Sequence, residues 1–441
     1  MDGRPVHASP SVRHSLSYHV PMKILHCADI HLGYETHGRL DPATGLNTRL
    51  VDFKRCLDVM VARAVQEDVD LFLFCGDAYR TADPTPTQQQ LLADGLAPLA
   101  KAGIPMVMIV GNHDHPVSFG KASAVDIFQH LAGRVHVFRK IASERIETKS
   151  GPLQLVALPW PIRSVLLSRE QYRKKSALEI RETIETMYDA FIKAAAAELD
   201  PGLPAVLAGH FSVEGAELGG SERTSLIAHE PKFTVGQLAQ PGVDYVALGH
   251  IHKFQDRNCE SYEAGMGPPV VYSSSIERIS FKEADSRKGF VLVDIVPQPD
   301  GSKKTTYEYV DTPARRFVAI ECDAREMPEP TGAILAAIDK HDVADAVVRV
   351  RYRVTEAQAP LVDGRQIRAA LQEAHAVAAI ERTVDAAERQ RRTVVRRETT
   401  LADAMRHYVA QKEELASMAD RLVEAALEIE HEVEGGQSPD A

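Results

Sequence analysis

The chain has 441 residues, which is longer than one typical domain, so we expect two or three folded units. A hydrophobic content of 44% and a charged content of 26% are typical of globular proteins with a large core. The formal net charge of −11 excludes a globally basic surface. Any contact with nucleic acid must therefore come from local basic patches, bound cations or a partner subunit.

The cysteines and the N-terminal segment favour a cytoplasmic protein. The five cysteines are odd in number and form no CxxC pair, so we expect reduced thiols. No stretch approaches the length of about eighteen apolar residues that a membrane helix needs. Residues 1–21 lack the apolar run of a secretion signal, and we interpret them as a disordered leader or as a segment upstream of the true start codon.

The first two-thirds of the chain alternates short apolar runs with amphipathic stretches. Continuous apolar runs predict strands that are covered on both faces, at residues 22–28, 69–75, 104–110, 153–158, 205–208 and 243–248. Apolar residues with helical spacing over 50–64, and the segment 89–101, predict helices between the first three strands. This alternation indicates α/β layering, and with further strands at 271–272 and 289–295 it predicts one domain over 22–297.

The character of the sequence changes at the polar, turn-rich stretch 297–304, which we interpret as a domain boundary. The segments beyond it predict a small α+β domain over 305–388, with strands at 316–322, 347–354 and 377–384 and helices at 333–340 and 365–374. Residues 385–434 contain neither Gly nor Pro, and apolar residues recur there at spacings of three and four. We expect one or two amphipathic helices over 389–434 and a disordered tail over 435–441.

Five apolar runs lead into residue types that bind metals. In chain order these are DxH (Asp29, His31), GD (Asp77), GNHD (Asn112, His113, Asp114), GH (His210) and GHxH (His250, His252). Ligands of open α/β sheets bind beyond the carboxyl ends of the strands, so we expect these side chains to converge. The glycines that precede four of them allow a sharp turn and a close approach of the backbone.

The donor types indicate the chemistry of this site. Mixed imidazole, carboxylate and amide ligands favour Mn, Fe or Zn over the all-oxygen sites of Mg or Ca. Seven ligands are too many for one ion and suit two ions that share a carboxylate, an arrangement that supports phosphoryl transfer. One short motif alone is most often a capping or core residue, so the prediction depends on all five motifs in this order.

The motif order resembles that of the calcineurin-like metallophosphoesterases. More narrowly, the segments 29–33 (DIHLG), 209–215 (GHFSVEG) and 272–278 (YSSSIER) resemble those of the SbcD-type DNA repair nucleases. The likeness covers about residues 22–295 and continues more weakly beyond them. It implies a metallophosphoesterase β-sandwich flanked by helices, with a small α+β capping domain and C-terminal helices.

The resemblance also implies roles for the motif residues. The ligands of two divalent ions, expected to be Mn²⁺, would divide into one group for the first ion (Asp29, His31, His252), one group for the second (Asn112, His210, His250) and a bridging carboxylate (Asp77). His113 would face the scissile phosphate and stabilise charge or protonate the leaving oxygen. Asp114 would set the tautomer and orientation of the His113 ring.

Two positions depart from the family pattern. Arg80 stands where many relatives carry a histidine that handles the phosphate in exonucleolysis, so the balance of exonuclease to endonuclease action stays open. Its side chain either grips a phosphate bidentately or is an ordinary surface arginine. Ser274 stands where relatives have a glycine, which puts the backbone path beside the site in question.

Several basic residues are candidates for DNA contacts. Lys253 and Arg278 adjoin the motif loops, and we expect both near the phosphate. The densest basic stretches are 169–175 and 389–397, which either follow a DNA backbone or are solvated helix faces.

The apolar stripe over 401–429 either packs on its own domain or binds a partner helix. The resemblance implies the second, with docking on the coiled-coil base of an SbcC-type ATPase. It also implies a homodimer built through helices near 89–101 and 123–131. Four leucines of the first helix would supply apolar contacts, although they would serve equally well as core (Leu91, Leu92, Leu96, Leu99).

We therefore predict a two-metal DNA exonuclease and endonuclease of double-strand-break repair. One alternative is a phosphatase or phosphodiesterase of the same fold that acts on small substrates, which would not need the chain beyond residue 300. The other is a non-catalytic scaffold with a structural metal site. An assay for cleavage of DNA with Mn²⁺ separates these possibilities.

Overall fold

The computed structural model describes residues 20–115, 121–130, 133–161, 174–220, 230–385, 400–410 and 413–435. Residues 1–19 of the predicted leader, most of the basic stretch 169–175, all of 389–397 and the predicted tail beyond 435 lie outside these ranges. The described chain forms two compact units. One holds the residues up to Tyr352 together with Asp363–Arg382, and the other holds Arg353–Val362 and the residues from Thr383 onward.

Seventeen strands are found in the described residues. They are β1 (Met22–Cys27), β2 (Leu71–Phe74), β3 (Met106–Ile109), β4 (Val135–Phe138), β5 (Ala142–Thr148), β6 (Gly151–Leu158), β7 (Ala205–His210), β8 (Ser212–Val213), β9 (Lys232–Phe233), β10 (Tyr245–Gly249), β11 (Gln255–Asp256), β12 (Val270–Tyr272), β13 (Gly289–Pro297), β14 (Lys303–Asp311), β15 (Phe317–Asp323), β16 (Val347–Thr355) and β17 (Ala376–Asp385).

Nine α-helices accompany these strands in the same ranges. They are α1 (Thr48–Gln66), α2 (Pro86–Lys101), α3 (Ala177–Ala197), α4 (Val235–Leu238), α5 (Cys259–Glu263), α6 (Pro330–Ile338), α7 (Gly364–Ala370), α8 (Leu401–Ala410) and α9 (Ala419–Gly435). Short 3-10 helices lie at Asp126–His130, Phe281–Glu283, Ala359–Leu361 and Glu413–Met418.

Two six-stranded sheets form the sandwich that the sequence predicted. The first has the order β14-β13-β1-β2-β3-β4 and the second β11-β12-β10-β7-β6-β5. Residues of both sheets meet in one buried apolar cluster between them, for example Leu73 of β2 and Val206 of β7. Helices α1 and α2 pack on the outer face of the first sheet, and α3 packs on that of the second. Strands covered on both faces are thereby confirmed.

Local capping explains where the main helices begin. The side chain of Asn47 accepts a hydrogen bond from the backbone N–H of Arg49 at the start of α1. Thr85 and Gln88 form a capping box at the start of α2, and Ser176 and Glu179 form one at the start of α3. In α2, Leu92, Leu96 and Leu99 are buried in the core, so the prediction that they contact a second chain is wrong and the core alternative is confirmed. Leu91 of the same helix is partly buried against that core.

The predicted boundary at 297–304 is wrong in its position. Strands β13 and β14 pair antiparallel from Gly289↔Asp311 to Pro297↔Lys303, so the polar stretch is the turn of a β-hairpin. Both strands belong to the first sheet. A hairpin turn and a linker share the same polar, glycine-containing composition, which is why the sequence did not separate them.

The α+β region after this hairpin has a three-stranded sheet of order β15-β16-β17, with α6 packed on β15 and on α7. In β16 buried apolar residues alternate with polar ones that include the exposed Arg351, as expected for a sheet with one solvated face. Farther along the chain, α8 and α9 pack against each other. Val409 and Val423 are buried there, whereas Tyr408 and Ile429 are 54% and 61% exposed.

All five cysteines are free thiols, and Cys27, Cys56 and Cys75 are buried. Within the described part of the chain, no helix combines the length and the apolar character needed to cross a membrane.

Candidate metal centre

The motif residues from both sheets meet at one edge of the sandwich. Strands β1, β2 and β3 run parallel to one another in the first sheet, and β7 and β10 run parallel in the second. Their carboxyl ends therefore lie together, as the sequence predicted. The polar groups there form three clusters whose metal-binding atoms lie within 4.8 Å of one another: Asp29, His31 and His252; Asp29, Asp77 and His210; and His31, Asp77 and His113.

Several of these residues have positive φ angles, which residues other than glycine rarely adopt. The φ angles of Asp29, His31, Asp77 and His250 are 53°, 51°, 63° and 90°. Such conformations are costly, and they persist only where the surroundings hold them. Hydrogen bonds between the loops do so here: the N–H of Asp29 donates to the carbonyl of Gly76, at 2.9 Å, and that of His31 to the carbonyl of Asp77, at 3.0 Å.

The glycines before the ligands allow the loops to approach closely. Gly76 has a φ of 93°, and a Cβ at this position would collide with the ring of His210. A Cβ at Gly249 would collide with the carbonyl oxygen of Cys75. The predicted need for glycine at these positions is confirmed, because any side chain would push the two sheets apart at the site.

The first group consists of Asp29, His31 and His252. The Nε2 atoms of the two histidines face each other at 2.9 Å, and each lies 3.7 Å from Oδ1 of Asp29. The Asp29 carboxylate also accepts the backbone N–H of His250, at 3.0 Å to Oδ2. All three side chains are buried, so their lone pairs converge in a space that bulk water does not fill.

The second group consists of Asn112, His210 and His250. Oδ1 of Asn112 lies 2.9 Å from Nε2 of His210 and 3.1 Å from Nδ1 of His250. The other ring nitrogen of His210, Nδ1, contacts the carbonyl oxygen of Cys75 at 2.7 Å. A carbonyl oxygen only accepts, so Nδ1 of His210 carries its proton and Nε2 is left with a lone pair.

Asp77 lies between the two groups. Its Oδ2 is 3.7 Å from Nε2 of His31 in the first group and 3.4 Å from Nε2 of His210 in the second. Its Oδ1 accepts the backbone N–H of His113 at 2.8 Å, which fixes the carboxylate. One oxygen therefore faces ligand nitrogens of both groups.

The electrostatics of this edge call for a cation. Burial raises the pKa of Asp29, with a partial offset from His252. Burial also acts to raise the pKa of Asp77, but the neighbouring histidines outweigh it, His210 first and then His113 and His31, and they hold this pKa below its usual range. Burial lowers the pKa of His31, and His252 adds to the shift. Buried polar groups with lone pairs that face one another fit divalent metal ions, because a cation between them replaces the lost hydration.

His113 lies beside this edge, half-buried, with its ring 4.8 Å from that of His31. Its Nδ1 contacts the carbonyl oxygen of Arg80 at 2.7 Å. Asp114 instead accepts the backbone N–H groups of Asp77, Ala78 and Gly111 at 2.8, 2.8 and 3.0 Å. The prediction that Asp114 orients the His113 ring is therefore wrong. The buried Asp114 fixes the Asp77 loop, and burial together with Asp77 raises its pKa to about 6.

The three predicted phosphate-binding residues have different surroundings. The Arg278 guanidinium donates to the carbonyl oxygens of four residues (Ala284, Ala314, Arg315, Ser286). Its donors are thus committed to the fold, and its predicted role at the phosphate is wrong. Lys253 pairs with Glu217 at the surface. Arg80 is exposed and lies over the ring of Tyr34, 4.9 Å from its centroid.

Ser274 adopts a φ of 72°, the conformation that glycine takes without strain. Its Oγ donates to the carbonyl oxygen of His252 at 2.8 Å. The serine therefore keeps the left-handed backbone and ties it to a ligand loop.

Four residues that the sequence analysis did not single out also border the centre. The Trp160 ring lies 5.1 Å from that of His250 and 6.2 Å from that of His210. Glu230 contacts His250, and Glu283, which pairs with Lys288, contacts His252. The position of Trp160 just after β6 was a usable signal. The charged residues lie outside the α-helices and strands, in segments that have no pattern of spacing.

Comparison with known proteins agrees with this geometry. The profile of the calcineurin-like phosphoesterases matches residues 22–254. The chain is 29% identical over 290 residues to the SbcD component of the SbcCD nuclease of Bacillus subtilis (strain 168), a match that covers 63% of this chain and 67% of that protein. This confirms the resemblance to SbcD-type nucleases.

Solved structures were also compared. A dimetal phosphatase from Danio rerio has a TM-score of 0.38 and 11% identity over 66% of this chain and 99% of its own. Purple acid phosphatase PPD1 from yellow lupin has a TM-score of 0.39 and 15% identity over 66% of this chain and 53% of its own. The family profile, by contrast, spans all five motifs that meet at the sandwich edge, and the chain belongs to the calcineurin-like phosphoesterases.

Proposed function

We propose that this chain is a two-metal DNA exonuclease and endonuclease that processes DNA ends in double-strand-break repair, as the nuclease subunit of an SbcCD-like complex. The observation that carries the proposal is the position of Asp77. Its Oδ2 faces His31 of one ligand group at 3.7 Å and His210 of the other at 3.4 Å, as a bridging carboxylate requires.

In this proposal the two groups each hold one Mn²⁺ ion. Asp29, His31 and His252 would hold the first and Asn112, His210 and His250 the second. When bound, a metal pair lowers the pKa of a coordinated water and neutralises charge that develops on the phosphoryl group. The protein contributes the fixed positions of the donors, which the strained backbone angles and buried loops maintain.

His113 acts on the phosphate beside the metals. The Arg80 carbonyl oxygen can only accept, so Nδ1 of His113 carries the proton in their 2.7 Å contact. The other nitrogen, Nε2, is left to contact substrate. With a second proton on Nε2, the His113 imidazolium would stabilise negative charge or transfer that proton to the leaving oxygen. Arg80 supports this role through its backbone, whereas its exposed side chain is available for phosphate.

Partners form a further part of the proposal. The Bacillus subtilis relative is one component of a nuclease complex. Helices α8 and α9 expose Tyr408, Leu427 and Ile429, which suit docking on an SbcC-type coiled-coil ATPase.

Homodimerisation through the region of 123–131 is also proposed, where Ile127 is 53% exposed. We also propose a cytoplasmic location, because the five free thiols fit a reducing compartment. The α+β region is proposed to be a capping domain.

The test is a nuclease assay on linear duplex and hairpin DNA with Mn²⁺, with and without a chelator and the ATPase partner. His113→Ala should lower cleavage by about 10²–10⁴-fold, because it removes the group that handles charge or protons. The variant should still bind both ions, since His113 is not a ligand. His341→Ala, at an exposed histidine of the α+β region, is the matched control. A wild-type protein that binds Mn²⁺ but cleaves no DNA would reject the proposal, whereas equal cleavage by the His113 variant would remove His113 from its proposed role.

A further inference from the structure

Two glutamates contact the histidines of the GHxH motif on opposite ring nitrogens. Oε1 of Glu283 lies 2.9 Å from Nδ1 of His252. Oε2 of Glu230 lies 2.9 Å from Nε2 of His250. Glu283 ends the 3-10 helix Phe281–Glu283, 31 residues after His252, and Glu230 lies 20 residues before His250.

These contacts fix which nitrogen carries the proton in each ring. An ionised carboxylate only accepts hydrogen bonds, so the nitrogen that faces it must donate. His252 therefore carries its proton on Nδ1, and its Nε2 lone pair points toward Asp29 and His31. His250 carries its proton on Nε2, and its Nδ1 lone pair faces Oδ1 of Asn112 at 3.1 Å. Both of these atoms can only accept, so this contact needs a cation between them.

We propose that Glu283 and Glu230 are positioning residues that hold the two histidines of one motif in opposite tautomers, so that each binds a different metal ion through a different ring nitrogen. The inference rests on the proposed two-metal function. Partners of this kind fix the orientation and the tautomer of a metal-binding histidine and raise its basicity.

The contact at Glu283 is part of a buried network. Three donors converge on its two oxygens: Nδ1 of His252 on Oε1, and Nζ of Lys288 and the backbone N–H of Ile279 on Oε2, both at 3.0 Å. Lys288 also donates to the carbonyl oxygen of His252 at 3.0 Å. The side chains of Glu283 and Lys288 are fully buried. An amide at position 283 has only one accepting atom and cannot serve donors on both sides.

The contact at Glu230 is simpler. Its carboxylate is 14% exposed and reaches one ring nitrogen. An amide oxygen can accept that single N–H, so Glu230→Gln should keep the orientation of His250. Glu230→Ala should lose it. The two glutamates therefore predict different responses to the same Glu→Gln change.

The experiment measures the binding of Mn²⁺ alone, by counting bound ions per chain and by following tryptophan emission. The chain has one tryptophan, Trp160, whose ring lies against His210 and His250 of the second group. Its emission should therefore report on the second ion. The total number of bound ions reports on both. A wild-type protein that binds fewer than two ions would reject the two-metal function itself, which distinguishes that failure from failure of this inference.

Glu283→Gln should lower the affinity for one of the two ions by about 10–100-fold, the usual effect of losing such a partner. The midpoint of the Trp160 signal should stay unchanged. Glu230→Ala should shift the Trp160 midpoint by a similar factor and leave the other ion in place, and Glu230→Gln should restore it.

Folding is controlled by the double variant Glu283→Gln/Lys288→Met, which leaves no unpaired buried ammonium and should show the same selective loss. If the Glu283 variants lowered the affinity for both ions equally, this would indicate general destabilisation and overturn the inference. Wild-type affinity for both ions in the Glu283 variants and in Glu230→Ala would overturn it as well.

Discussion

Charged residues are frequent both at the edge that carries the metal centre and in the small sheet β15-β16-β17. They are buried at the edge but exposed to solvent in the small sheet. Asp29 and His210 are fully buried and Asp77 is 1% exposed. In the small sheet, Arg351 of β16 and Glu381 of β17 pair at 2.6 Å with side chains 47% and 48% exposed. Water can replace the partner of either residue in the exposed pair, whereas the buried groups have little contact with bulk water.

The difference teaches where to look for function in this fold. Burial of polar groups is costly unless something satisfies them. At the sandwich edge, carboxylates and imidazoles face one another at distances of 3.4 to 3.7 Å between Asp77 and its neighbours, in strained loops. This arrangement fits a bound cation. The ion pairs of the small sheet are exposed to solvent and contribute little to stability.

The largest effect is expected at the centre of the buried edge. Asp77→Asn should remove the bridging charge and lower the affinity for both ions by more than about 100-fold, because even outer partners of metal ligands cost about 10–100-fold. Cleavage should fall at least as far. The measurement is Mn²⁺ stoichiometry together with the rate of DNA cleavage.

The control is Asp58→Asn on helix α1. Its carboxylate pairs with Lys54 at 2.5 Å, and its side chain is 50% exposed. This variant should behave as wild type, since exposed pairs contribute about 0–1 kcal/mol. If Asp77→Asn kept one ion at wild-type affinity, the bridging position would belong to another residue.

A second prediction concerns a buried ion cluster that contains none of the proposed metal ligands. Asp52 on α1 accepts Nη1 of Arg49 at 2.7 Å on Oδ2, and accepts Nε and Nη2 of Arg315 at 2.5 and 2.6 Å. Asp52→Asn should reduce the free energy of unfolding by about 3–5 kcal/mol, because two buried guanidinium groups each lose a buried ion-pair partner. Arg49 keeps Glu277 at 3.5 Å, and Arg315 keeps Asp345, whose side chain is 75% exposed. Arg351→Ala in the exposed pair should cost no more than about 1 kcal/mol. Urea denaturation measures both, and equal losses would show that burial does not set the difference.

Much of the metal centre was predictable from the sequence, because topology places it. Residues that directly follow parallel strands must meet at one edge, so Asp29, Asp77 and His210 could be brought together without coordinates. The same argument gave the need for glycine at Gly76 and Gly249.

The remaining features depend on loop paths that the sequence pattern does not encode. The sequence predicted catalytic or phosphate-binding roles for Asp114 and Arg278, but their hydrogen bonds go to backbone groups of other segments, among them Asp77 and Ala78 for Asp114 and Ser286 for Arg278. Glu230 and Glu283 reach the histidines from segments without periodic spacing, outside the α-helices and strands. The hairpin turn at 297–304 has the composition of a linker, and only the pairing of β13 with β14 distinguishes the two.

The smallest expected effect tests a buried histidine away from the metal-binding motifs. His26 on β1 is fully buried, and its Nδ1 lies 3.0 Å from the hydroxyl of Tyr245 on the facing sheet. Burial lowers the pKa of His26 from 6.5 to about 3, so the ring stays neutral in the folded protein. The unfolded chain takes up a proton below pH 6.5, and stability that is fully present above that pH is lost progressively as the pH falls toward 3.

The measurement compares wild type with His26→Gln by urea denaturation of the metal-free proteins at pH 7 and pH 5. The other histidines titrate in both proteins and cancel in the difference. Wild type should lose about 2 kcal/mol more than the variant between these two values, because one proton per chain is worth about 1.4 kcal/mol per pH unit. An identical loss in both proteins would mean that His26 is protonated in the folded state as readily as in the unfolded chain. The contact with Tyr245 would then open to water, and the space between the sheets would be less dry than the edge that holds the metal centre.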